Sequence, residues 1–211
     1  MYKIPRQSRG GFTLVEVLIS VAVLGLAFSS IAMLAQANSD AASVGAVEAA
    51  LESRSTATID RISAELAIAG AEGFTLEDAN TLRYRHPEGV TGAEVDWGEF
   101  RELRFEYEVG ELDDGVDNNG NGLVDEGQVV LVENVGLVDE RRLLITRWVR
   151  EHAENEDGNG IDDDGNGVTD ENGFFLQRAG DTVIVELTLE RPTSKGTLLD
   201  RTSSISVQLR N

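Results

Sequence analysis

The sequence predicts an α+β protein in which a long N-terminal helix lies on an antiparallel β-sheet head that carries acidic loop insertions. Three observations predict it. Residues 12–35 form an apolar run of 24 residues with Glu16 as the only charge. Beyond it Val44, Val47, Leu51, Ile59, Ile62 and Leu66 recur at helical spacing, with Glu48, Glu52, Arg54, Asp60, Arg61 and Glu65 between them. Farther on, short segments alternate apolar with polar residues, the pattern of half-buried strands.

The chain divides into a leader (1–11), a membrane-spanning segment (12–35), an amphipathic continuation of the helix (36–70) and a β-rich head (71–211) with acidic loops at 111–127 and 151–173. A bilayer needs about 20 apolar residues in a spanning helix, and residues 12–35 supply them. The leader MYKIPRQSRGG carries Lys3, Arg6 and Arg9 and no acid, which keeps it cytoplasmic and exports the rest. A secretory signal would have a shorter apolar core followed by a small-residue cleavage site; here the apolar run continues into a helical pattern, so the helix is expected to be retained.

Glu16 separates a plain anchor from something more specific. A carboxylate in a membrane helix costs up to about 2.5 to 3.5 kcal/mol at the bilayer centre on insertion scales, so it needs a partner. The stretch GGFTLVEVLISVAVLG, residues 10–25, resembles the class III signal of type IV pilins and type II secretion pseudopilins. The resemblance implies cleavage between Gly11 and Phe12 by a prepilin peptidase, which also methylates the new Phe12 amine. It also implies that Glu16 meets the N-terminal amine of a neighbouring subunit, an attraction strengthened by low dielectric. The implied partners are that peptidase/methyltransferase, other pilins or pseudopilins and the bacterial inner membrane, crossed once with the head periplasmic or extracellular.

Gly70 and Gly73 are stop signals, so one helix from about Phe12 to about Ala69 is the expected spine, free of proline around Met33. Leu103, Phe105, Tyr107 and Val109 alternate with Arg104, Glu106 and Glu108, and Val183, Val185, Leu187 and Leu189 repeat the pattern. Further strands are expected at 82–85, 129–133, 143–149 and 204–209. The stretches IDRISAELAIAGAEGF, FEYEV, LLITRW, VIVELTLERP and VQLRN resemble minor PilW-type pilins and the J-type minor pseudopilins, which implies a pilin-like fold without separating the two machines.

The net charge is −20, from 38 acidic against 18 basic residues, so no nucleic-acid partner is expected. Residues 111–127 hold six carboxylates and 151–173 hold nine, without a Lys or Arg in either stretch. Composition alone leaves a solvated repulsive loop and a cation site both open. The loops align at a spacing of 45 residues, and each matches the start of an EF-hand-like calcium loop, with oxygen side chains at positions one, three and five and glycine at six. Asp117, Asn119 and Asn121 precede Gly122 in the first; Asp162, Asp164 and Asn166 precede Gly167 in the second. The carbonyls of Leu123 and Val168 take position seven, and Asp125 and Asp170 position nine. Position twelve, a bidentate glutamate in the EF-hand, is Gln128 and Gly173. Either Glu126 and Glu171 swing in, or upstream acids such as Asp114 and Asp157 close the shell, as in dockerin-like and thrombospondin type 3 loops. Two calcium sites are the expectation, calcium suiting so protein-rich an oxygen shell better than magnesium.

Without cysteine, disulfides and thiolate metal sites are impossible, and calcium would act as the staple. His86 and His152 are the only histidines, and neither forms a recognisable pattern with a nucleophile, so no enzyme is expected. The expected function is that of a minor pilin or pseudopilin with a calcium-stabilised head. The alternative is a membrane-tethered calcium-dependent adhesion or cargo-binding module.

Overall fold

A computed structural model describes residues 11–71 and 73–209; the basic residues of the leader lie outside the described residues. The chain forms two compact units, the first ending at Val44 and the second beginning at Gly45. Helix α1 (Leu14–Leu66) runs without interruption and contributes to both.

Over residues 17–35 α1 presents apolar side chains on every side, and Leu14, Val17, Leu18, Val21, Leu24, Phe28 and Ile31 are all exposed. A helix that is hydrophobic all round belongs inside a protein core or a membrane. Its first stretch is long and apolar enough to cross a bilayer, and none of that window is buried among the described residues.

In the second unit the 3.6-residue period does what the sequence anticipates: Leu51, Ile59, Ile62 and Leu66 are buried on one face of α1 and Val47 is partly covered. They pack on eight strands, β1 (Thr75–Asp78), β2 (Thr81–Thr91), β3 (Glu94–Tyr107), β4 (Gly127–Glu133), β5 (Arg141–Val149), β6 (Phe174–Ala179), β7 (Thr182–Pro192) and β8 (Leu198–Gln208). All pairings are antiparallel, in the order β1-β2-β3-β4-β5-β7-β6, with β8 added to β7. The core joins the helix face to Leu82, Tyr84, Leu103, Val129, Leu131, Phe174, Val183, Val185 and Leu187. Polar groups caught between helix and sheet are paired, Ser55 donating to Ser203 at 2.7 Å and Tyr84 to Glu65 at 3.0 Å. Burial and the neighbouring Glu65 carboxylate push the Tyr84 phenol well above its ordinary range.

The helix stops at Leu66, three residues before the expected end, and the following turn packs closely: a Cβ at Gly70 would run into the Trp97 ring. Two strands are absent from the sequence-based expectation. β1 is only four residues long, and in β6 Phe174, Phe175 and Leu176 are buried in succession, so neither shows alternation. The outer hairpin of β2 and β3 was hidden by Pro87 and Gly89, which sit at register shifts that an interrupted strand pair accommodates. β3 ends at Tyr107, leaving Val109 exposed beyond it. Its outward side is not bare. Arg104 bridges Glu102 at 3.0 Å and Glu106 at 2.8 Å, and Arg142 also meets Glu106.

Candidate metal centre and N-terminal motif

The two acidic loops leave the same end of the sheet, because Gly127, where β4 begins, is in register with Val149, where β5 ends. The first connects β3 to β4 and the second connects β5 to β6. Their backbones repeat one another. Gly120 and Gly165 have φ of 75° and 77°, Gly122 and Gly167 both 93°, and Asp125 and Asp170 both 51°. The last pair, left-handed at a non-glycine residue, is a conformation that aspartate tolerates through local hydrogen bonding.

At position one, Asp117 accepts the amides of Gly120 (2.6 Å) and Asn121 (3.1 Å) on Oδ1 and of Gly122 (2.8 Å) on Oδ2. Asp162 does the same with Gly165 (2.6 Å), Asn166 (3.1 Å) and Gly167 (2.9 Å). These bonds wind each loop into a cup with positions three and five on its wall. Asp125 and Asp170 sit at the neck, accepting the amides of Gly115 (2.6 Å) and Gly160 (2.9 Å).

Two further carboxylates, at the same 45-residue spacing, complete the arrangement and escaped the sequence reading. Glu111 accepts the amide of Asn119 at 2.7 Å, and Glu156 accepts those of Asp163 and Asp164 at 2.9 and 2.8 Å. Both side chains are buried. The repeat itself was the missed signal: extending the alignment upstream places Glu111 on Glu156, whereas Asp114 falls on Asn159 and Asp157 on Leu112.

Glu126 and Glu171 point into the cups. Oε1 of Glu126 accepts the side-chain amides of Asn119 (2.7 Å) and Asn121 (2.6 Å), and Glu171 is held by Asn166. Their exposure is only 1% and 3%, and in both residues Oε2 is buried without a hydrogen-bond partner. A buried, unpartnered carboxylate oxygen is costly, and its recurrence at equivalent positions fits a cation that would take that lone pair. Position twelve is not available for this purpose. Gly173, just before β6, donates its amide to Arg150 and accepts that of Thr188 on its carbonyl, and a Cβ there would meet the carbonyls of both; Gln128 belongs to β4.

Two groups of acids bring their oxygens within 4.8 Å of one another: Glu156 with Asp162 and Asp164, and Asp113 with Asp125 and Glu151. The second joins the first loop to the root of the other. Tyr107 borders it, its hydroxyl pushed up to about 12 by burial and by the Asp113 carboxylate. These clusters can hold hard cations through oxygen alone.

At the opposite end of the sequence, Gly11 and Phe12 are exposed and precede the helix. Thr13 and Glu16 form a capping box. The Glu16 carboxylate accepts the Thr13 amide and hydroxyl, both at 2.8 Å, while the Glu16 amide donates back to the Thr13 hydroxyl at 3.3 Å. Thr-x-x-Glu before an apolar run was legible as such a box. Glu16 thus holds its carboxylate beside the junction where an amine would appear if the chain were cut after Gly11.

Residues 6–32 match the family model described as the prokaryotic N-terminal methylation motif. No curated protein and no solved structure gives a significant match to the chain. The chain therefore carries a prepilin-type cleavage and methylation motif on a pilin-like arrangement of one long N-terminal helix and an antiparallel sheet.

Proposed function

We propose that this chain is a minor pilin or pseudopilin, a structural subunit of a type IV pilus or type II secretion pseudopilus, whose head is stiffened by two calcium ions. The observation that carries the reading is the junction. An exposed Gly11–Phe12 bond, the matching motif and a membrane-depth carboxylate four residues on form the set that cleavage, methylation and assembly require. A prepilin peptidase would release the Phe12 amine, and Glu16 would exchange its local cap for the amine of a neighbour. The helix anchors the chain in the inner membrane before assembly, with the head on the far side.

The calcium part rests on the orphaned Oε2 atoms of Glu126 and Glu171. The ligands would be Asp117, Asn119, Asn121, the Leu123 carbonyl and Glu126 in one loop, and Asp162, Asp164, Asn166, the Val168 carbonyl and Glu171 in the other. Asp125 and Asp170 brace the neck or reach the ion through water. A membrane-tethered adhesive or cargo-binding module uses the same loops. What favours the subunit reading is Glu16, which a mere tether would not need.

Mass spectrometry of the chain from native membranes tests it. The expected N-terminus is methylated Phe12, and Gly11→Val should leave the full leader attached. A native chain that still begins at Met1 would overturn the proposal.

A further inference from the structure

The second unit holds one basic feature that the functional reading leaves unused. β5 and β7 are joined by a single registered pair, Val149 with Leu189, so from Arg141 to Trp148 β5 is paired on its β4 side only. Where the two strands part, a groove of about 630 Å³ opens between them and residues 50–61 of α1. Arg54 and Arg61 from the helix and Arg191 from β7 line it. In a chain of net charge −20 several arginines are matched: Arg83, Arg101, Arg104, Arg142 and Arg201 each meet a carboxylate. Among the described residues Arg54, Arg61 and Arg191 have no ion-pair partner, a condition they share with Arg85, Arg147 and Arg178, but they alone gather in this groove. Arg54 and Arg191 instead hold the half-buried Trp148 ring, their guanidinium carbons 4.2 and 4.4 Å from its centroid.

Open strand edges recruit extended chains, and proteins normally blunt or cover them. Here the edge has Leu144, 44% exposed, and Ile145 as apolar contacts and three unmatched guanidinium groups above it. We propose that this groove binds an extended acidic segment of another polypeptide, which adds to the free edge of β5 and places its carboxylates on Arg54, Arg61 and Arg191. Phosphate-bearing ligands satisfy the charge but leave the backbone edge and Leu144 uncovered; an acidic strand satisfies all three. That the segment comes from another subunit of the same filament rests on the function proposed above; the binding chemistry does not.

The test uses the full chain in neutral detergent and a short labelled peptide alternating glutamate and valine. Fluorescence anisotropy should show saturable binding that weakens with salt, and hydrogen exchange should show new protection at 141–148. The Arg54→Gln/Arg191→Gln double variant should bind at least about tenfold more weakly while keeping its melting temperature within a few degrees. Equal binding by this variant, equal binding of a lysine–valine peptide, protection elsewhere than β5, or competition by inorganic phosphate or phosphatidylglycerol vesicles as strong as by unlabelled peptide would overturn the proposal. A photo-crosslinker at Leu144 then identifies the source in cells. A crosslink to a chain with the same N-terminal motif supports a filament partner; one to an unrelated protein overturns that source alone. Whether Phe12 is methylated is read independently, so a failed groove and a failed filament reading give different results.

Discussion

At the residue scale the informative atoms are the two buried carboxylate oxygens of Glu126 and Glu171. Oε1 in each is fed by asparagine amides, whereas Oε2 has nothing, although the loops supply donors freely elsewhere. An ion in the cup would repay both oxygens; a merely hydrated loop would leave them desolvated for no return. Replacing Glu126 and Glu171 together with glutamine should therefore leave the calcium-free head as stable as the parent or slightly more so, since two buried charges are removed. It should also abolish the calcium response. For the parent, calcium at a hundred times its dissociation constant stabilises by about 2.7 kcal/mol per site, which for a chain of this length raises the melting temperature by about 5 to 10 °C. Thermal melts with calcium and with chelator check this, and a calcium-dependent rise that survives in the double variant would refute the assignment.

At the element scale the strands show which parts of the fold were legible. β7 was, because Val183, Val185, Leu187 and Leu189 recur at every second position and are all buried, with Ile184, Glu186 and Thr188 between them, and so was the helix face of Leu51, Ile59, Ile62 and Leu66. β6 was not: Phe174, Phe175 and Leu176 are buried together, which removes the period on which a sequence reading depends. The loop cups were legible from Asp117 to Gly122 and from Asp162 to Gly167, where residue type follows the turn. Glu111 and Glu156 were missed, since they lie upstream of the motif, and only the 45-residue repeat pairs them; folding brings each carboxylate back onto backbone amides of its loop. The same logic explains position twelve. Gly173 sits so close to the Arg150 and Thr188 carbonyls that Gly173→Ala should cost about 1 to 3 kcal/mol in urea unfolding rather than restore any ligand. On β7, burial pushes the Glu190 carboxyl up, Arg150 pulls it partly back, and Asp200, its cross-strand partner, raises it again. With the folded value above the unfolded one, the native chain holds a proton that the unfolded chain has lost between the two values. Stability therefore falls as pH rises through that window and recovers below it. Glu190→Gln should melt higher than the parent at pH 7 in chelator, and the difference should vanish as pH is lowered below the ordinary glutamate range of about 4.3.

For the whole molecule the two ends of the sequence set different requirements. The head is self-sufficient in its core, with helix face and sheet burying one another. The side chains of the apolar half of α1 are exposed, and among the described residues its one charge is met by the Thr13 cap. That cap is local to one chain, so on the function proposed above Glu16 would not prevent insertion and would leave a carboxylate for a positive neighbour. Glu16→Ala and Glu16→Gln separate the two roles. Glutamine can still accept the Thr13 amide and so keep the capping box, whereas alanine loses the bonds from the Thr13 amide and hydroxyl and keeps only that from its own amide to the Thr13 hydroxyl. If the carboxylate serves only as a cap, glutamine should behave as the parent. If it serves as the partner of a neighbour's amine, both variants should insert and be processed normally yet enter filaments poorly, because neither carries the charge. Sheared filaments probed for this chain, normalised to its amount in the membrane, distinguish the outcomes, and normal incorporation of Glu16→Gln would reduce Glu16 to a helix cap.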